Sequence, residues 1–293
     1  MATVLVTGAS RGIGKATCLT LARAGHRVIG GMRDPRRSPE LAATAAAESL
    51  PIVVRAMDVD DDDSVRHGVA EVAAEHGPID ALVNNAGIER HGSIEEVRLS
   101  DFRAVMETNY FGAIRCIQAV LPAMRARQSG CIVNVSSVAG RICSSPLGPY
   151  AASKFALEAI SEALAQEVKR HGIRVAVVEP GIIGTEMAQA IASGDEHSIY
   201  PHTDRYADVF SPSLKRPTSP ELVADAIRGS VDGDSTRFRH PVGRDAEKLL
   251  AWRASLTDEA FIDWHAAYDD TWYANMERAF NLKRLPREQS SSG

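Results

Sequence analysis

Apolar and polar positions follow two rhythms along this chain. Short runs that are apolar at nearly every position occur at 3–7, 27–32, 52–57, 80–84, 131–136 and 173–178. Stretches with helical spacing lie between them, at 16–24 and near 39–48, 62–76, 101–127 and 150–171. A continuously apolar strand is buried on both faces, and regular strand–helix alternation gives a parallel sheet covered by helices. The pattern predicts a doubly wound, Rossmann-type α/β fold with a seven-stranded parallel sheet in the order 3-2-1-4-5-6-7. No repeat or linker is visible, so residues 1–284 are expected to form one domain. Residues 186–216 lack clear periodicity and are expected to be a long substrate loop. Residues 244–280 read as C-terminal helices, with Trp252, Trp264 and Trp272 in the core or at subunit contacts, and 285–293 as a disordered tail.

Composition narrows the function classes. The chain has 293 residues, 44% of them hydrophobic, and a formal net charge of −5. That balance gives no electrostatic reason for binding nucleic acid or an anionic membrane surface. Cys18, Cys116, Cys131 and Cys143 are scattered without a CxxC spacing and read as reduced, buried thiols. His197 and His202 fit no metal-ligand spacing, so they read as solvated loop residues and no metal is expected. With neither a signal segment nor an apolar run of transmembrane length, a cytoplasmic location is expected. Asp60 to Asp63 read as the first turn of a helix, where the dipole favours acids.

Two clusters carry candidate chemistry. The run Thr3–Thr7 leads into Gly8-Ala-Ser-Arg-Gly12-Ile-Gly14 and then into a helical pattern. Strand, glycine turn and helix in this order present backbone N–H groups and a helix dipole to a pyrophosphate. The spacing is G-x-x-x-G-x-G, and in this position it reads as a dinucleotide site. The second cluster is Tyr150 with Lys154 four residues later, neighbours on one helix face. Ser137 follows the apolar run 131–136 at a strand end. A free phenol titrates near ~10, and a nearby ammonium favours its ionised form. Tyr150 is therefore expected to exchange a proton with an alcohol or carbonyl oxygen.

Together these residues resemble the short-chain dehydrogenase/reductase family in its compact form. The resemblance rests on Thr7-Gly8-x-x-x-Gly12-x-Gly14, Asn84-Asn85-Ala86-Gly87, the Ser137/Tyr150/Lys154 set and Pro180-Gly181-Ile-Ile-Gly-Thr185, spanning residues 3–185. Asn109 matches the family's fourth catalytic position. The resemblance implies hydride transfer between a nicotinamide and a carbonyl carbon. Tyr150 is then the general acid/base, Ser137 holds the substrate oxygen, and Asn109 positions a relay water. Lys154 lowers the Tyr150 pKa and holds the ribose. It also implies cofactor contacts from Gly8, Ser10, Arg11, Gly12, Ile13 and Gly14, from Asp58 and Val59 at the adenine, and from Asn85 and Gly87. Pro180, Gly181, Ile183 and Thr185 would hold the carboxamide.

Arg11 and Arg33 occupy the positions where NADP-dependent members carry basic residues, so NADP(H) is expected over NAD(H), although Asp34 follows directly. Arg33-Asp34, Tyr150–Glu158 and Phe238–Gly243 resemble the hydroxysteroid- and retinol-dehydrogenase-like branch, which implies an apolar carbonyl or alcohol substrate. Reduction of an enone or imine by the same residues, and a non-catalytic NADP-sensing protein, are the alternatives. Helices 101–127 and 150–171 are apolar on more than one face, at Phe111, Ile114, Ile117, Phe155, Leu157 and Ile160. A homodimer or homotetramer built on these helices is expected.

Overall fold

A computed structural model of the chain describes residues 1–191 and 198–282. Seven strands form one parallel sheet: β1 (Thr3–Thr7), β2 (Arg27–Met32), β3 (Ile52–Ala56), β4 (Ala81–Asn84), β5 (Gly130–Val135), β6 (Ile173–Pro180) and β7 (Arg239–Val242). Their order is β3-β2-β1-β4-β5-β6-β7, the order expected, although no apolar run marks β7. The crossing helices are α1 (Gly12–Arg23), α2 (Glu40–Ala47), α3 (Asp62–His76), α4 (Leu99–Met106), α5 (Gly112–Arg127) and α6 (Gly148–Val168). After β6 come α7 (Glu186–Ile191), α8 (His202–Ser213) and α9 (Pro220–Asp232). After β7 come α10 (Ala246–Ala254), α11 (Asp258–Ala266) and α12 (Asp269–Phe280).

Strand periodicity splits the core into two layers. Val4, Val6, Val133 and Val135 pack against Cys18 and Leu21 of α1 and Val223 and Ile227 of α9. Leu5, Leu82 and Ile132 face the other way, onto Val65 and Val69 of α3, Cys116 and Val120 of α5, and Leu164 of α6. Burial holds the thiols of Cys18, Cys116 and Cys131 above their ordinary pKa, Cys116 at about 12 and Cys131 at about 11. Cys143 is exposed.

Four features differ from the sequence pattern. The region 186–216 is not irregular throughout, since it carries α7 and α8. His202 begins α8, where burial lowers its pKa, and it is no solvated loop histidine; His197 and the expected tail 285–293 lie outside the described residues. The helical stretch 101–127 is interrupted by a π-helical turn at Glu107–Phe111. Asp61 caps α3 by accepting from the Ser64 N–H at 2.6 Å, with Asp62 and Asp63 in the first turn. Asp60 stands apart: burial raises its pKa, and its carboxylate accepts from the Thr108 hydroxyl at 3.0 Å.

Trp252 packs edge-on to Trp264 at 4.8 Å and to Phe280 at 5.0 Å, joining α10, α11 and α12. Among the described residues, no helix is long and apolar enough to cross a membrane, and no three His, Cys, Asp or Glu side chains gather as a metal site.

Candidate active site

The glycine turn joins β1 to α1 across the carboxyl end of the sheet. Gly8 (φ +66°) and Gly12 (φ +53°) adopt left-handed backbone that side chains disfavour. A Cβ on Gly14 would sit 2.2 Å from the Gly8 carbonyl oxygen, so only glycine lets the helix start this close to the strand. Asn85 fixes the turn by donating its amide to Thr7 O at 3.0 Å and Gly8 O at 3.1 Å. The Thr7 hydroxyl accepts from the N–H groups of Asn85 and Ala86, each at 3.1 Å. The first turn of α1 has neither a side-chain cap nor an acid, and Gly12, Ile13 and Gly14 line the cavity. Such orphan donors at a helix N-terminus suit an anionic pyrophosphate.

That cavity, about 630 Å³, runs from the glycine turn past the end of β5 to the C-terminal helices. Every residue expected to touch cofactor or substrate lines it, with the exception of Asn109. Asn109 sits in the π-helical turn; its Oδ1 accepts from Ile88 N at 2.8 Å, and its Nδ2 donates to Ile88 O and Ser153 Oγ, each at 2.9 Å. The expected water-holding amide is thus occupied in bracing the loop after β4 against α6.

Ser137 leaves β5 in extended backbone, its hydroxyl accepting from Ala139 N at 3.1 Å and donating to Pro180 O at 3.4 Å. Tyr150 and Lys154 project from α6 into the same space, and both are buried. Burial pushes the Tyr150 phenol up to about 12; the Ser137 hydroxyl works against this and the Glu89 carboxylate adds to it. Lys154 does not offset that rise, contrary to the expectation from spacing. Its ammonium donates to Val135 O at 2.8 Å and stands 5.7 Å from the centre of the Tyr150 ring. Burial pulls Lys154 down to about 8, with Glu158 opposing. The phenol is therefore a protonated, desolvated acid at neutral pH.

At the end of β2 the charges sort themselves. Asp34 accepts from the N–H and Nε of Arg36, at 3.0 and 3.1 Å, so its carboxylate is spent on a neighbouring 3₁₀ turn. Arg33 lines the cavity, exposed, with no ion pair among the described residues. Arg11 pairs with Glu186, both well exposed, a contact of the weak surface kind. Asp58, the expected adenine neighbour, accepts from Asp60 N at 3.1 Å.

After β6, Thr185 caps α7 by accepting from Ala188 N at 3.3 Å, and Ile183 pairs with Thr218. The structure adds Asp245, which sequence spacing did not reveal. It accepts from Ile182 N at 2.9 Å and lies so near Gly181 that a Cβ there would meet its oxygen at 2.4 Å. The far wall is apolar, from Leu147, Met187, Ile191 and Phe210 to Met276 and Phe280 of α12. Residue type alone gave no sign that α12 reaches the cavity.

The family model for short chain dehydrogenases matches residues 2–196. An NADPH-dependent pterin aldehyde reductase of Arabidopsis thaliana is 37% identical over 206 residues, 70% of this chain and 84% of that protein. A short-chain dehydrogenase structure from Streptomyces avermitilis superimposes with a TM-score of 0.75 at 33% identity, covering 90% of this chain and 97% of that one. A Burkholderia cenocepacia gluconate 5-dehydrogenase, solved with NADP and tartrate, gives a TM-score of 0.73 at 27% identity, covering 84% and 95%. With the family model matched over residues 2–196 and relatives more than 30% identical across most of its length, the chain belongs to the short-chain dehydrogenase/reductase family of oxidoreductases.

Proposed function

We propose that the chain is an NADPH-dependent ketoreductase or alcohol dehydrogenase in which Tyr150 gives or takes the proton. The observation that carries this reading is one continuous cavity. It holds an anion cradle at Gly8–Gly14, a neutral buried phenol at its centre and an apolar wall beyond. A bound nicotinamide cofactor would supply or accept the hydride.

The chain's own groups do the rest. Ser137 donates to the substrate oxygen as negative charge develops on it. Tyr150, kept protonated by burial, delivers the proton. Lys154, anchored on Val135 O, would present its remaining protons to the ribose hydroxyls of a bound cofactor. Asn109 keeps Ile88 and Ser153 in place around this centre.

Three further readings have support of different kinds. NADPH over NADH is favoured by Arg33, free of the Asp34 carboxylate that Arg36 engages. An apolar substrate is favoured by the wall of Leu147, Ile191 and Phe210. A homo-oligomer is favoured by Phe111 and Phe155, which stay 45% and 43% exposed next to α5 and on α6. The test is an NADPH-oxidation screen against carbonyls graded from small aldehydes to steroid-sized ketones. Turnover rising with apolar bulk supports the reading, and no turnover across the series rejects it.

A further inference from the structure

Beyond the catalytic centre the cavity holds a second phenol. Tyr206 projects from α8 into the apolar half, where Leu147, Met187, Ile191 and Phe210 form the wall. Its ring stacks on Phe210, one helical turn on, with centroids 5.2 Å apart and planes 24° from parallel. Met187 packs on this cluster and also on Tyr150, so the two phenols share one continuous apolar surface.

The support behind Tyr206 is rigid. Its neighbour Arg205 is buried, donates to Asp269 at 2.6 Å and Ala267 O at 2.9 Å, and lies over the Trp272 ring at 5.8 Å. Two residues further on, Asp208 accepts from the Tyr273 hydroxyl at 2.7 Å. Helix α8 is thereby tied to α12, which fixes where the Tyr206 ring stands.

Arg244 and Lys248 also line the cavity, the Lys248 ammonium 5.5 Å from the centre of the Phe280 ring, and two further polar groups of this half are committed within the protein. Asp245 accepts from Ile182 N, and the Ser213 hydroxyl donates to Val209 O at 3.5 Å. The Tyr206 hydroxyl has no hydrogen-bond partner among the described residues. Burial, followed by the Glu89 and Asp245 carboxylates and by Tyr150, holds that phenol above the ordinary tyrosine range. It is a neutral donor on a half-buried side chain facing an apolar chamber, and a substrate that displaces water there leaves the hydroxyl unfavourably unpaired unless it offers an acceptor. The carboxylates whose field reaches it disfavour an anionic acceptor.

We infer that the Tyr206 hydroxyl donates to a second, uncharged oxygen of the substrate, so that preferred substrates are apolar carbonyl compounds bearing a further hydroxyl or keto group. This rests on the ketoreductase reading and sharpens it. Tyr150 and Ser137 take the reacting oxygen, and Tyr206 takes the other and sets which carbonyl faces the centre.

The test uses neutral diketones and hydroxyketones graded by the separation of their oxygens. Each is paired with the mono-ketone of the same skeleton, and one further analogue carries a carboxylate as its second group. Turnover with NADPH and equilibrium binding to the NADP⁺-loaded protein are both measured, for the wild type and Tyr206→Phe. The variant keeps the ring and its stacking. The wild type should prefer the doubly oxygenated member of at least one pair by about tenfold, the scale of one buried hydrogen bond. Tyr206→Phe should erase that preference and leave the mono-ketone unchanged. Equal treatment of both members at every separation, or an equal loss on both in the variant, overturns the inference. Tighter binding of the carboxylate analogue overturns its uncharged character. Discrimination in binding without turnover of any ketone rejects the ketoreductase reading and leaves the Tyr206 contact standing; neither turnover nor discrimination rejects both.

Discussion

The ammonium of Lys154 donates to the main-chain oxygen of Val135 at 2.8 Å, tying the middle of α6 to the end of β5. Because the group is buried, it gives up its charge at about 8, while the Tyr150 phenol holds its proton to about 12. The two groups titrate in an order that sets the pH behaviour of the site.

Carbonyl reduction should be level at neutral pH and fall as pH rises through about 8, where Lys154 loses the charge proposed to hold the ribose. Tyr150 stays protonated across that range and contributes no limb there. A pH profile of kcat/KM for NADPH checks this. A profile that declines only above about 10, the ordinary lysine and tyrosine range, would contradict the assignment.

The same burial has a stability consequence. The pKa of Lys154 is 10.5 unfolded and about 8 folded, so the unfolded chain holds the proton more tightly. The charged group therefore penalises folding fully below pH 8, and the penalty fades between 8 and 10.5. Lys154→Met should be more stable than the wild type at pH 7 by about 1–3 kcal/mol, after allowing for the lost bond to Val135. The difference should shrink in alkali. Urea unfolding at both pH values measures it, and a variant less stable at pH 7 would count against the buried-charge argument.

Much of this was legible in the sequence, for identifiable reasons. Six strands announced themselves because parallel strands buried on both faces are apolar at nearly every position, whereas β7 carries Arg239, His240 and Pro241. The glycine turn, Asn85, Ser137 and Gly181 stood out because each follows a strand's carboxyl end. Asp245 was hidden because its work on Gly181 and Ile182 is a contact across more than sixty residues. The raised phenol of Tyr150 was hidden because spacing shows a neighbouring ammonium but not the loss of water around both groups. In 186–216, the helical spacing of Tyr206, Val209 and Phe210 was diluted by Pro201 and Pro212. The Asn109 backbone turn leaves no mark in residue type.

Arg33 should govern cofactor choice. Arg33→Asp should weaken NADPH binding by about 1–3 kcal/mol, the scale of a charge-assisted hydrogen bond, and leave NADH binding unchanged or tighter. Titrating both cofactors into wild type and variant decides it. Tighter binding of NADH by the wild type would reject the NADPH reading.

Phe155, on α6 and 43% exposed, should lie in a subunit contact together with Phe111. Phe155→Glu should dissociate the assembly by placing a charge in it, with little change in the fold of the subunit. Sedimentation at micromolar concentration reads the outcome. A wild-type monomer there would remove the contact.

Tyr150→Phe is the most direct measurement of the central claim. The substitution deletes only the hydroxyl, leaving the ring packed on Ala139 and Ala151 and the Lys154–Val135 bond intact. NADPH affinity and thermal stability should match the wild type. Ketone turnover should fall by ~10²–10⁴, as for loss of a general acid. A Tyr150→Phe protein that binds NADPH and reduces a good substrate at the wild-type rate would contradict the account.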